Sequence, residues 1–282
     1  MGKYEDETNE NYLKRCLNEI EQTIIKEGPE NICAFVGETI LGSLVGDVPA
    51  LKGYWSGIDN ICKQYDIHII LDEVYCGMGR SGKIFNYSWD DFSPDFVCVG
   101  KNMTSGHSPL SAIITKSKFE DIIANGSGRI QLGHTFQGYS LGIAACLEYM
   151  NIIDENNLME RVREKSKYMI DNLTKELSSN PFFKNIRGRG FQFALEHSCE
   201  DNALFGITLQ KKMLEEHKIM INSKWHRTSF NPPFIFTDEQ IDELLDKFIL
   251  TFKELSTNWD IISNNVDISQ VPKSMGGISQ NK

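Results

Sequence analysis

Two short apolar runs, each stopping at charged groups, constrain the fold of this chain more than any other feature. In the stretch DIHIILDEVYCGMGRSGKIFNYSWDDFSPDFVCVGK, Ile67, Ile69, Ile70 and Leu71 stop at Asp72 and Glu73. Phe96 to Val99 end at Gly100 and then Lys101. Runs this short and this apolar read as buried strands. Upstream, Ile32 to Val36 form another, ending at Gly37 and Glu38. A helix predicted from about Tyr54 to Tyr65, with Ile58, Ile61 and Cys62 inward, lies between that strand and the one ending at Asp72. Strand, helix, strand is a parallel βαβ unit, so the fold class is α/β. In an open parallel sheet, ligand-handling groups sit just beyond the carboxyl ends of strands. One acid and one amine are therefore predicted on one edge of one sheet.

A lysine held there in a dry site forms a Schiff base with a carbonyl cofactor if part of it stays neutral. Pyridoxal phosphate needs both groups: its aldehyde takes an amine, and its ring nitrogen keeps its proton against a carboxylate. That chemistry assigns Lys101 to the aldehyde and Asp72 to the ring nitrogen. On spacing alone, a solvated charge at each strand end is the commoner arrangement.

The 282 residues are enough for one large domain or two modest ones. The net charge of −10 argues against a nucleic-acid partner, which requires a basic footprint. No apolar run approaches the ~18 residues of a membrane span, and the charged start MGKYEDETNENYLKR is not a signal peptide. Seven cysteines, an odd number without a CxxC pair, mostly occupy apolar patterns and read as reduced, which points to the cytoplasm. The six histidines show no metal-ligand spacing.

Helical periodicity covers residues 9–27 and is stopped by Gly28 and Pro29. After Lys101 a loop leads to a strand at 110–115 and a helix at 117–124. Two long helices follow, at about 139–153 and 156–178. KNIRGRGFQFALE then makes a turn feeding an apolar strand. A helix at 203–217, strands near 218–222 and 228–230 and a helix at 238–255 complete an α+β unit. The predicted domains are 1–155, then 156–257, then a polar tail over 258–282 that reads as disordered. Two motifs are decoys. Gly77, Gly79 and Gly82 satisfy GxGxxG, and Gly77, Gly82 and Lys83 match the start of a phosphate-binding loop. Both mechanisms need a helix to begin there, and KIFNYSWDDFSPDF has poor helical periodicity, with Ile84 where the loop's Ser/Thr belongs.

LDEVYCGMGRSGK, PDFVCVGKNMTSGHSPLSAII and GHTFQGYSLGIAACLEYM, in this order, resemble the class III (omega) aminotransferases, fold-type I pyridoxal phosphate enzymes. The similarity runs from about Asn31 to Leu255. It implies the C-terminal part of the large domain (a mainly parallel sheet with helices) and a small α+β domain. It implies a Lys101 Schiff base, Asp72 at the pyridine nitrogen, Thr135 binding the cofactor phosphate from the neighbouring subunit of a dimer, and Tyr75 near the phenolic oxygen. Transfer of an amino group from an amine or amino acid to a keto acid or aldehyde is the implied activity. Racemisation or elimination on the same residues is an alternative.

The chain departs from the family in several places. The EPxxG segment reads ETILG, with Thr39 for proline, and Ser43 stands at a frequently acidic position. An arginine that grips a substrate carboxylate is replaced by Ser229, and Arg227, two residues earlier and on the same strand face, is the substitute candidate. The resemblance also begins in the middle of the family's pattern, without the phosphate-cradling turn and the ring-stacking aromatic. That predicts a truncated, inactive fragment, or a chain that works with a second chain supplying the missing half.

Overall fold

The structure is a computed structural model that describes residues 3, 4, 6–42, 45–199 and 202–264. It divides into two compact units. The first comprises Met1–Gly42 and Pro49–Met159; the second comprises Ser43–Val48 and Glu160–Lys282. Residues 43–48 thus cluster with the C-terminal unit, although sequence order places them in the first domain. Ser43 itself lies outside the described residues, as does the predicted tail from 265 onward.

In the first unit, α1 (Asn9–Glu27) starts at Thr8, whose hydroxyl accepts from the Asn11 N–H, and stops at Gly28 with φ +83°. The central sheet holds β1 (Ala34–Glu38), β4 (His68–Asp72), β5 (Phe96–Val99) and β6 (Ala112–Thr115) in that spatial order. Two-residue strands β2 (Ile40–Leu41) and β3 (Val48–Pro49) lie between β1 and the helix α2 (Tyr54–Gln64). The β1–β4 and β4–β5 pairs are parallel, as the βαβ reading requires, whereas β6 runs antiparallel to β5. The sheet is therefore mixed.

Its two faces differ. On one, Ile69, Leu71, Val97 and Val99 are buried, with Gly37 close against the Trp55 ring of α2. The register puts Val36, Ile70 and Phe96 in one cross-strand row of the other face, and Glu38, Asp72, Cys98 and Ile113 in the next. There Val36 is 63% and Ile113 70% exposed. Apolar residues remain exposed beyond the sheet too, on α3 (Ser117–Asn125), along residues 126–139 and on α4 (Ser140–Glu155), including Ile122, Leu132, Phe136 and Leu147.

The second unit is α+β. Its antiparallel sheet has the order β7 (Phe183–Arg189), β8 (Gln192–His197), β10 (Arg227–Phe230), β9 (Asn222–Lys224). Helices α5 (Leu158–Leu177), α6 (Asn202–His217) and α7 (Asp238–Thr257) supply a core with Phe191, Phe193, Phe205, Phe248 and Phe252. A reciprocal Thr237–Gln240 capping box starts α7. Two expectations are corrected. The strand predicted at 218–222 forms at Asn222–Lys224, after the left-handed Lys218. Residues 259–263, predicted as disordered tail, form the short helix α8 (Trp259–Ser263), because Trp259 is buried against Phe205. Among the described residues no helix is long and apolar enough to cross a membrane.

Candidate active site

The parallel register sets the site. Asp72, last in β4, lies opposite Cys98 of β5, and the Glu73 N–H donates to the Cys98 carbonyl at 2.9 Å. One residue past the end of β5, Gly100 leads into a 3₁₀ turn over Lys101–Thr104. Lys101 opens that turn at φ +39°, a left-handed conformation unusual for a non-glycine residue. Asp72 and Lys101 thus leave the carboxyl ends of adjacent parallel strands.

Lys101 lines a cleft of about 780 Å³ together with Ser108, Leu110, His134, Phe136 and Tyr139. Its Nζ lies 4.8 Å from the centroid of the Tyr75 ring, a cation–π contact. Asp72 is exposed, and one of its oxygens accepts from the Val74 N–H at 3.0 Å, which steadies the carboxylate at the strand end. Thr135 sits in an exposed turn between the cleft-lining His134 and Phe136. His107 approaches the Thr104 carbonyl, at 3.2 Å through Nδ1. The first unit therefore brings together Lys101 and Tyr75, with Asp72 on the neighbouring strand end. Arg227 belongs to the second unit, where it is 2% exposed beside Gly46.

A buried group the sequence did not single out lies directly behind Asp72. Glu73 is fully buried, and its carboxylate accepts from the N–H groups of Asn86 and Tyr87, both at 2.7 Å, and from the Thr39 hydroxyl at 3.1 Å. It anchors residues 77–87 to the end of β4. Thr39, which stands where the family has proline, supplies one of these donors and also touches the Cys76 sulfur at 3.1 Å. Burial, with the Glu73 carboxylate nearby, pushes the Cys76 thiol up to about 12, so this cysteine is not a nucleophile. The only signal for Glu73 was its place beside Asp72. The partners that make it structural are 13, 14 and 34 residues away.

Gly77, Gly79 and Gly82 make turns rather than a helix start. The Gly82 N–H closes on Gly79, Gly79 bonds Ile84, and no helix opens before the four-residue 3₁₀ segment Asn86–Trp89. The geometry of both nucleotide-binding motifs is therefore missing.

The family model for class-III aminotransferases matches residues 2–252. Gamma aminobutyrate transaminase 3 (chloroplastic) of Solanum lycopersicum is 33% identical over 263 residues, covering 88% of this chain and 49% of that protein. The diaminobutyrate–2-oxoglutarate transaminase of Halomonas elongata is 32% identical over 256 residues, covering 86% and 54%. An omega transaminase from Pseudomonas jessenii solved in complex with PMP superposes at a TM-score of 0.83 and 28% identity, covering 91% of this chain and 58% of that one. The chain spans about half the length of the curated relatives it matches. Its architecture is that of part of a fold-type I transaminase, and the chain belongs to the class III aminotransferase family.

Proposed function

We propose that the chain takes part in pyridoxal phosphate-dependent transamination, moving an amino group from an amine or amino acid to a keto acid or aldehyde. The observation that carries this reading is the pairing of a cleft-lining amine, Lys101, with a carboxylate, Asp72, at the carboxyl ends of two adjacent parallel strands. That donor set suits a ring bearing a carbonyl and a basic nitrogen. Pyridoxal phosphate supplies both, with a protonated ring that draws electrons from the substrate. Lys101 would hold the cofactor's carbonyl end, and its amine would hold and move a proton at the substrate's α-carbon. Asp72 keeps the ring nitrogen protonated. Tyr75, stacked under the Lys101 ammonium, places its ring beside the reacting end. Thr135 is assigned to the phosphate of a neighbouring subunit's cofactor. Arg227, 2% exposed in the second unit, is the candidate for a substrate carboxylate.

The partner is a second chain, either an identical copy or a polypeptide supplying the part of the fold this one does not span. The open apolar sheet face at Val36 and Ile113 supports that reading. The odd number of cysteines, without a CxxC pair, supports a place in the reducing cytoplasm.

Mixing the purified chain with pyridoxal phosphate tests the proposal. A visible absorbance band that Lys101→Ala abolishes supports it; no band in the unmutated chain favours a non-catalytic remnant. Conversion of an added keto acid to its amino acid, with an added amine donor converted to its carbonyl compound, separates transamination from racemase or lyase chemistry on the same residues.

A further inference from the structure

Lys101 needs a restraint. Its φ of +39° is a conformation that an unbranched L-residue leaves readily. Within its own turn, local N–H to carbonyl bonds run from Met103 to Gly100 and from Ser105 to Asn102.

The next side chain holds the turn from outside. The Asn102 amide nitrogen donates to the Met78 carbonyl and to the Tyr149 hydroxyl oxygen, both at 2.7 Å. Tyr149 donates in turn to the same Met78 carbonyl at 2.5 Å. Arg80 approaches the Asn102 amide oxygen through Nη2 at 3.4 Å. Met78 is itself left-handed, at φ +53°, in the GMGRSG turn. One amide therefore bridges two left-handed residues far apart in sequence and ties both to α4 through Tyr149. The surroundings are partly shielded from water: Tyr149 is 8% exposed, and burial raises its hydroxyl and lowers the Arg80 guanidinium from their ordinary ranges. Hydrogen bonds in such a place are not readily exchanged for water.

We propose that Asn102 is the positioning residue for the Lys101 amine, with Tyr149 as its anchor in α4 and Arg80 orienting its amide. Asn102 touches no reacting atom. Its function is to keep the Lys101 backbone left-handed, so that Nζ stays over the Tyr75 ring and in the cleft. This rests on the assignment of Lys101 as the carbonyl-binding amine.

The test uses the full chain with two probes, pyridoxal phosphate and pyridoxamine phosphate. The second has no aldehyde and does not need the lysine. Borohydride reduction and peptide mass spectrometry locate the first on Lys101. Asn102→Ala is expected to slow the absorbance rise with pyridoxal phosphate about tenfold and to leave pyridoxamine phosphate affinity unchanged. Tyr149→Phe is expected to slow it less, because the bond from Asn102 to Met78 survives. A purely structural role would weaken both probes together. Equal rates for the unmutated chain and both variants, with the adduct on Lys101, overturn the inference. If the unmutated chain gives no Lys101 adduct, the transaminase reading fails instead. Hydrogen exchange at the Met103 and Ser105 amides then decides the restraint separately, since Asn102→Ala must speed it and an unchanged rate defeats it. If Asn102→Ala does not fold, Tyr149→Phe carries the test alone.

Discussion

The Glu73 carboxylate accepts a 2.7 Å hydrogen bond from the backbone N–H of Asn86, and neither residue has any solvent exposure. With Tyr87 and Thr39 also donating, this carboxylate serves three groups, of which those of Asn86 and Thr39 are buried. Glu73→Ala would strip two backbone N–H groups of their acceptor and is expected to destabilise the fold by about 3–5 kcal/mol. Glu73→Gln keeps one acceptor oxygen and should lose less. Denaturant midpoints at constant slope check this order; an alanine variant as stable as the parent would mean that the carboxylate does not hold the 77–87 segment.

Asp95 gives the first unit an acid-sensitive contact. Burial alone would raise its carboxyl, but hydrogen bonds from Lys118, the Ile69 N–H and Lys116 outweigh burial and hold it at about 2. The folded value lies below the unfolded one, near 3.9. Its contribution is therefore complete above about pH 4 and is lost as pH falls toward 2. The lysines are half-exposed, so solvent screening limits the contribution to roughly 1–2 kcal/mol. Asp95→Asn should be less stable than the parent at neutral pH, with the gap closing between pH 4 and pH 2. A gap that stays constant across that window would remove Asp95 from the acid limb.

Gly46 is left-handed at φ +83°, and a Cβ there would lie 2.0 Å from Cδ of Arg227. Arg187 also donates from Nε to the Gly46 carbonyl at 2.8 Å, so the backbone has little room to yield. Gly46→Ala combines backbone strain with overpacking and should lower stability by about 2–4 kcal/mol. Thermal unfolding of the variant is the check, and a neutral result would show that this segment and Arg227 separate easily.

Much of this architecture was legible because it is local. The helix stop at Gly28 follows from capping chemistry, and Phe96–Val99 is a strand to the residue in both sequence and structure. The runs ending at Asp72 and Gly100 were enough to place both on one sheet edge, since parallel neighbours share a direction. What escaped was set by distant partners. An apolar run looks the same whether both strand faces are covered or one is open, so the exposure of Val36 and Ile113 was invisible. The antiparallel direction of β6 depends on the preceding turn and not on its own residues. Asp47, in a segment read only as a loop, is buried and accepts from Ser229 and Gln192, residues 182 and 145 positions away. Asn102 was an unremarked loop asparagine until Met78 and Tyr149 were seen on either side of it.

The end of the described chain offers a sharper test of packing against composition. Polar residues dominate after Asn258, which is why this stretch read as tail, yet Trp259 is 6% exposed with its ring edge-on to Phe205 at 5.2 Å. Phe205 is fully buried and meets Phe252 edge-on at 5.3 Å. The indole thus closes one side of an aromatic cluster in the second unit, and its removal leaves a cavity that Phe205 cannot fill without abandoning Phe252. Trp259→Ala is expected to lower stability by about 3 kcal/mol, near the lower end for a buried aromatic. Trp259→Phe keeps an aromatic face against Phe205 and should lose about half as much. Urea midpoints decide between docking and fraying: a terminal helix that frays freely would give an alanine variant within about 0.5 kcal/mol of the parent.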